Sequence, residues 1–123
     1  MVEFAIIAPL LFALIFGIID FGRVFFLYNN LTNAAREGAR LGSVYPIDAN
    51  AWIPTIQAAT RARINDSNGA SATVNVTYPP GPSPGRTVRV HIENYPFTPI
   101  TFLVFRAARR LNVRAEFRLE QQP

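Results

Sequence analysis

The stretch VEFAIIAPLLFALIFGIIDFGRVFFLY, residues 2–28, decides how this chain is read. Residues 4–19 carry no charge; as a helix they span about 24 Å, short of a hydrocarbon core of ~30 Å. Beyond Asp20 and Arg23 the apolar run resumes at Val24, Phe25, Phe26, Leu27 and Tyr28. A span over residues 4–28 is therefore long enough, provided that the two charges satisfy each other at i, i+3. A carboxylate such as that of Glu3 costs about 2.5–3.5 kcal/mol at a membrane centre, so it stays at an interface or meets a partner. A cleaved secretory signal would need a basic start and a small-residue cleavage site. Residues 1–3 hold no base, and Asp-Phe-Gly-Arg follows Ile19, so the segment is expected to be retained.

From Asn29 the composition changes while the helical period continues. Leu31, Ala34, Ala35, Gly38, Leu41 and Gly42 fall on one side, with Asn33, Arg36, Glu37 and Arg40 on the other. This predicts one helix from about Val2 to Leu41, roughly 60 Å long, ended by Pro46. Pro9 and Gly17 within it predict a bend or a loosened stretch. Ala34, Gly38 and Gly42, at i, i+4 and i+8, form a stripe that lets another backbone come close. Two readings stay open for the stripe: packing on the chain's own sheet, or helix-to-helix contact between subunits.

The pattern divides the chain into a hydrophobic transmembrane or filament-core helix (1–28), an amphipathic continuation (29–45) and a small head (46–123). In the head, Asp48 or Asn50 can cap a second helix over residues 51–64, with Trp52, Ile56, Ala59 and Arg63 as its expected inner edge. Residues 65–69 read as a loop. Three segments then alternate with period two: Ala72, Val74, Val76 and Tyr78; Val88, Val90 and Ile92; and Leu111, Val113, Ala115, Phe117 and Leu119 share the apolar faces. The expected fold class is α+β: a long N-terminal hydrophobic helix, then a head with a second helix and a roughly three-stranded antiparallel sheet. The proline-rich connection at 79–85 predicts a stiff projecting loop. Residues 95–110 read as a connector whose Phe102, Leu103, Val104 and Phe105 plug the sheet or form a subunit contact.

Composition narrows the function. The chain has 123 residues, no cysteine and a single histidine, which excludes disulfides and thiolate metal sites. All twelve basic residues are arginine, and Arg36, Arg61, Arg86 and Arg114 scatter over every element, so no nucleic-acid partner is expected. Neither a glycine-rich phosphate loop nor metal-ligand spacing is present, and the carboxylates stand singly; only Glu93 neighbours the His91 imidazole, across one strand face. The expectation is a non-enzyme without cofactor.

Three motifs carry a resemblance: Val-Glu-Phe-Ala-Ile-Ile-Ala-Pro-Leu-Leu over residues 2–11, Gly-Ile-Ile-Asp-Phe-Gly-Arg over 17–23, and Asn-Ala-Ala-Arg-Glu-Gly-Ala-Arg over 33–40. Together they resemble the TadE-like pilins of tight-adherence pili, a branch of the type IV pilus superfamily. In that family a prepilin peptidase removes a short basic leader and leaves a glutamate near the mature N-terminus; Glu3 corresponds to it. The resemblance implies a subunit held in the cytoplasmic membrane, extracted by the pilus assembly machinery, and polymerised with copies of itself into an extracellular adhesive filament. It implies assembly roles for Glu3, Phe4, Pro9, Asp20, Arg23, Ala34, Gly38 and Gly42. The rival expectation is a monomeric bitopic protein with a small partner-binding head. Such an anchor gains nothing from Glu3 and should carry bases on its cytoplasmic flank, whereas here Arg23, Arg36 and Arg40 follow the span.

Overall fold

The structure, a computed structural model, describes residues 2–44, 51–78, 87–99 and 109–118. A single helix, α1 (Val2–Val44), forms the stem and, with its C-terminal half, one wall of the head. Pro9 lies inside α1, and the helix ends at Val44, one turn beyond the position expected from the sequence. The head adds α2 (Ile53–Ala62), a 3-10 turn (Gly69–Ser71) and strands β1 (Thr73–Thr77), β2 (Thr87–Phe97) and β3 (Arg109–Arg118). The strands form an antiparallel sheet in the order β1-β2-β3. This is the α+β layout that the alternating segments predict.

The alternation dictates the packing. Val74 and Val76 of β1, Val88, Val90 and Ile92 of β2, and Val113 and Ala115 of β3 are buried on one face of the sheet. They meet Leu31, Ala34, Ala35 and Ala39 of α1 and Ile56 of α2, which completes one core. The opposite face is polar: Asn75, His91 and Glu93 form a row, with His91 Nδ1 2.8 Å from Glu93 Oε1 and Asn75 Nδ2 donating to Glu93 Oε2 at 3.0 Å. Arg89 and Arg114 both pair with Glu116 beside it, and their hydrogen bonds hold its carboxyl below the ordinary carboxylate range.

Two expectations are corrected. In α2 the buried side chains are Ile56 and Thr60, while Trp52 and Arg63 are exposed and Ala59 is half-buried. The helix is rotated from the expected phase because Thr60 seats against Gly38 of α1. Its outer flank serves the sheet edge: Gln57 Nε2 donates to the Val74 carbonyl and Arg61 Nε to the Ala72 carbonyl, both at 2.9 Å. Gln57 thus caps an acceptor of the edge strand β1, and Arg61 one on the residue just before it.

The second correction concerns β2, which continues to Phe97 instead of giving way to a connector at Tyr95. A bulge between Ile92 and Tyr95 accounts for it. Asn94 there has φ of 55°, in the left-handed region that asparagine tolerates better than most residues. Its N–H donates to Asn112 Oδ1 at 2.8 Å. The extra residue shifts the alternation by one, so Tyr95 and Phe97 return to the buried face. The capping residues Asp48 and Asn50, the 79–85 loop and Phe102–Phe105 lie outside the described residues.

Candidate functional site

The stem of α1 and its head-bound half present opposite surfaces. Over residues 4–19 every large apolar side chain is exposed, from Phe4 at 76 % downward, and α1 holds a segment long and apolar enough to cross a membrane. Glu3 and Pro9 are exposed at the same end, and Glu3 has no ion-pair or hydrogen-bond partner among the described residues. Phe21, Phe25, Phe26 and Tyr28 are exposed as well and carry the apolar surface further along α1.

Burial begins at Asp20. Its side chain is 1 % exposed, and Arg23 Nη1 lies 3.6 Å from its Oδ1, so the two charges meet within the helix. Arg23 also reaches the head: Nη1 donates to the Thr98 carbonyl at 3.5 Å, and the guanidinium stands 5.7 Å from the Phe97 ring centroid, within cation–π range. The head thus takes hold of α1 one turn before the apolar stretch of the sequence ends.

Further along, the small residues are occupied by the chain's own head. Ala34 is buried; a Cβ on Gly38 would collide with the Thr60 hydroxyl, and one on Gly42 would come within 2.8 Å of Val88 Cγ2. The Tyr78 hydroxyl donates to the Gly42 carbonyl at 3.4 Å. Of the two readings left open for the stripe, intramolecular packing is the arrangement seen. On the outward face, Arg40 donates twice to Glu37, at 2.7 and 3.0 Å, and those bonds lower the Glu37 carboxyl.

A cavity of about 250 Å³ opens where stem meets head, walled by Arg23, Phe26 and Leu27 of α1, the loop residues Asp66 and Asn68, and Phe97 of β2. The loop is tied to α1 by the Asn65 N–H, which donates to Asn30 Oδ1 at 3.0 Å. Tyr95, fully buried, donates from its hydroxyl to Asp66 Oδ2 at 2.7 Å. That bond first, then those from Ser67 and the charge of Arg23, hold the Asp66 carboxyl below its ordinary value. Burial and the same carboxylate push the Tyr95 hydroxyl up. Sequence reasoning missed Asp66, Tyr95 and Phe97; the signal was the Glu-Asn pair at 93–94 interrupting a period-two run.

Residues 1–40 match the model of the TadE-like protein family. The TadE-like match thus covers the stem and most of the head-bound half of α1, and stops short of α2 and the sheet. No match was found among curated proteins or among solved structures. TadE-like proteins are pilus-associated and not an enzyme family. The match and the exposed apolar stem together are consistent with a Tad pilus-related membrane protein.

Proposed function

We propose that this TadE-like chain is a structural, pilin-like subunit of an extracellular Tad or type IV-like filament. It waits in the cytoplasmic membrane by its stem and polymerises through α1, with surface adhesion as the outcome for the cell. One observation carries the proposal: no residue over 4–19 is buried and every large apolar side chain there is exposed, while burial against the head begins only at Asp20. Such a stem needs an apolar surrounding, and lipid or the stems of other copies can supply it. Exchanging one for the other changes little in apolar burial, so close packing and pairing of polar groups must drive the exchange. Glu3 is the polar group at hand. Without a partner among the described residues, its carboxylate is satisfied in a filament core by the N-terminal amine of a neighbour, which sets the axial register.

Electron microscopy of sheared surface filaments, with mass spectrometry of the subunit in them, tests the proposal. Filaments containing the chain are expected; a chain that stays in detergent extracts as a monomer is a bitopic anchor instead. Glu3→Ala should abolish filaments while leaving the head folded, and normal filaments from this variant would remove the register role.

A further inference from the structure

We propose that the cavity at the junction of stem and head is a binding site for a zwitterionic phospholipid headgroup of the phosphoethanolamine type, with Arg23 taking the phosphate and Asp66 the ammonium. The inference rests on the membrane stage of the proposed function and adds a ligand to it.

Depth comes first. Arg23 lies twenty positions after Glu3, about 30 Å along the helix, which equals the thickness of a hydrocarbon core. With Glu3 at one interface, the cavity opens among the headgroups of the other. Charge comes second. Arg23 and Asp66 line the same cavity without forming an ion pair with each other. Asp20 pairs with the inner side of the same guanidinium, so a lone phosphate at the cavity meets two carboxylates against one arginine, whereas a ligand carrying both signs offers its ammonium to Asp66 and its phosphate to the exposed side of Arg23.

Unused bonding capacity comes third. Arg23 is 45 % exposed, and its polar contacts with the described residues, to Asp20 and to the Thr98 carbonyl, both use Nη1, so the other donors of the fork meet none of those residues. Asp66 accepts from the Tyr95 hydroxyl and from Ser67, yet a carboxylate has about four acceptor positions. Tyr95 therefore holds the carboxylate in place and ionised without exhausting it. Size comes last. The cavity, about 250 Å³, is smaller than the ~300–1,000 Å³ of sites for drug-sized ligands. It has room for a headgroup, while Phe26 and Leu27 offer an apolar wall to the first carbons of the chains.

The test uses the full chain in neutral detergent, with native mass spectrometry of lipid retention. Phosphatidylethanolamine, phosphatidylglycerol and phosphatidylcholine are titrated separately, beside soluble O-phosphoethanolamine. The expected result is one phosphatidylethanolamine per chain, held about tenfold more tightly than either other lipid, and more tightly than the soluble headgroup. Arg23→Gln should weaken retention about tenfold. Asp66→Asn keeps an acceptor for the Tyr95 hydroxyl and should abolish the preference for ethanolamine over choline; it serves as the second variant if Arg23→Gln disturbs the head. Equal retention of the three lipids, or unchanged retention in both variants, overturns the site. Equal binding of the soluble headgroup overturns membrane lipid as its source. Alkaline extraction of cell membranes reads the underlying placement separately: a chain that washes out overturns the membrane stage, whereas one that stays yet retains the lipids equally overturns the headgroup site alone.

Discussion

Two halves of one helix follow opposite packing rules. In the stem, the large side chains Phe4, Leu10, Phe12 and Leu14 face outward and stand exposed. In the head-bound half, the buried side is Ala34, Ala35, Gly38, Ala39 and Gly42, with Leu31 as its one large member. The head contributes the bulk instead, through Ile56, Val88, Val90 and Ile92. Small residues on α1 let the backbone approach α2 and the sheet closely, so contact is made at short range by many atoms. Glycine shows the contrast most directly: a Cβ on Gly38 or Gly42 strikes the head, whereas one on Gly17 or Gly22 meets nothing within 4 Å.

The largest effect should come from filling the close approach. Gly38→Leu forces a side chain into Thr60, and overpacking of this kind costs about 3 kcal/mol, the upper end of the usual range. For a head of this size, that lowers the melting temperature by about 12–24 °C. The glycine-to-alanine gain in helix propensity, at most ~1 kcal/mol, acts in the other direction and is too small to compensate. Calorimetry or circular dichroism of the full chain in detergent reads it. An unchanged melting temperature would show that α1 does not approach α2 this closely.

These halves were unequally legible in the sequence. The inward residues of the strands are β-branched or apolar and their neighbours polar, so Val74, Val76, Val88, Val90 and Ile92 could be placed without coordinates. The stripe at Ala34, Gly38 and Gly42 was visible too, but small residues permit close approach without naming the partner. Thr60 was hidden for the same reason: the phase of a short helix is set by what it touches, and an inward threonine beside Gly38 carries no periodic signal. Tyr95 and Phe97 were lost because Asn94 shifts the alternation and Pro96 argues against a strand. Burial of Asp20 was unreadable, since it depends on how far down the helix the head reaches.

A smaller effect is expected at the boundary between the halves. Tyr95→Phe removes the hydroxyl that holds Asp66, at a cost of about 1 kcal/mol, the low side for a bond to a charged group because solvent also reaches Asp66. The pH dependence gives the sharper readout. Asp66 titrates below its ordinary 3.8 when folded, so the unfolded chain binds more protons in acid. Its contribution is fully present above that value and lost as pH falls through the folded one. Tyr95 titrates above its ordinary 10.0 when folded, so its contribution is fully present below that value and lost as pH rises through the folded one. Urea midpoints across pH should show both limbs in the natural chain and both reduced in Tyr95→Phe. Equal profiles would mean that the loop at 65–68 does not lean on the sheet.

The smallest effect in the isolated chain is expected at Gly17, and its size is the point of the test. With nothing within 4 Å, Gly17→Leu should leave the head's stability unchanged within about 0.5 kcal/mol. Glycine within a helix costs roughly 0.5–1 kcal/mol against alanine, so Gly17→Ala should, if anything, firm the stem. Any loss of filaments in these variants must then come from another molecule, because their own chain offers nothing to strike. Gly17→Ala adds one methyl and Gly17→Leu a branched side chain, so filament yield falling in that order marks a neighbour's helix seated on Gly17. Equal yields would place the neighbour on another side of the stem. Gly38 would then stand as the only one of the two glycines whose missing side chain makes room for a partner, and that partner is the chain's own head.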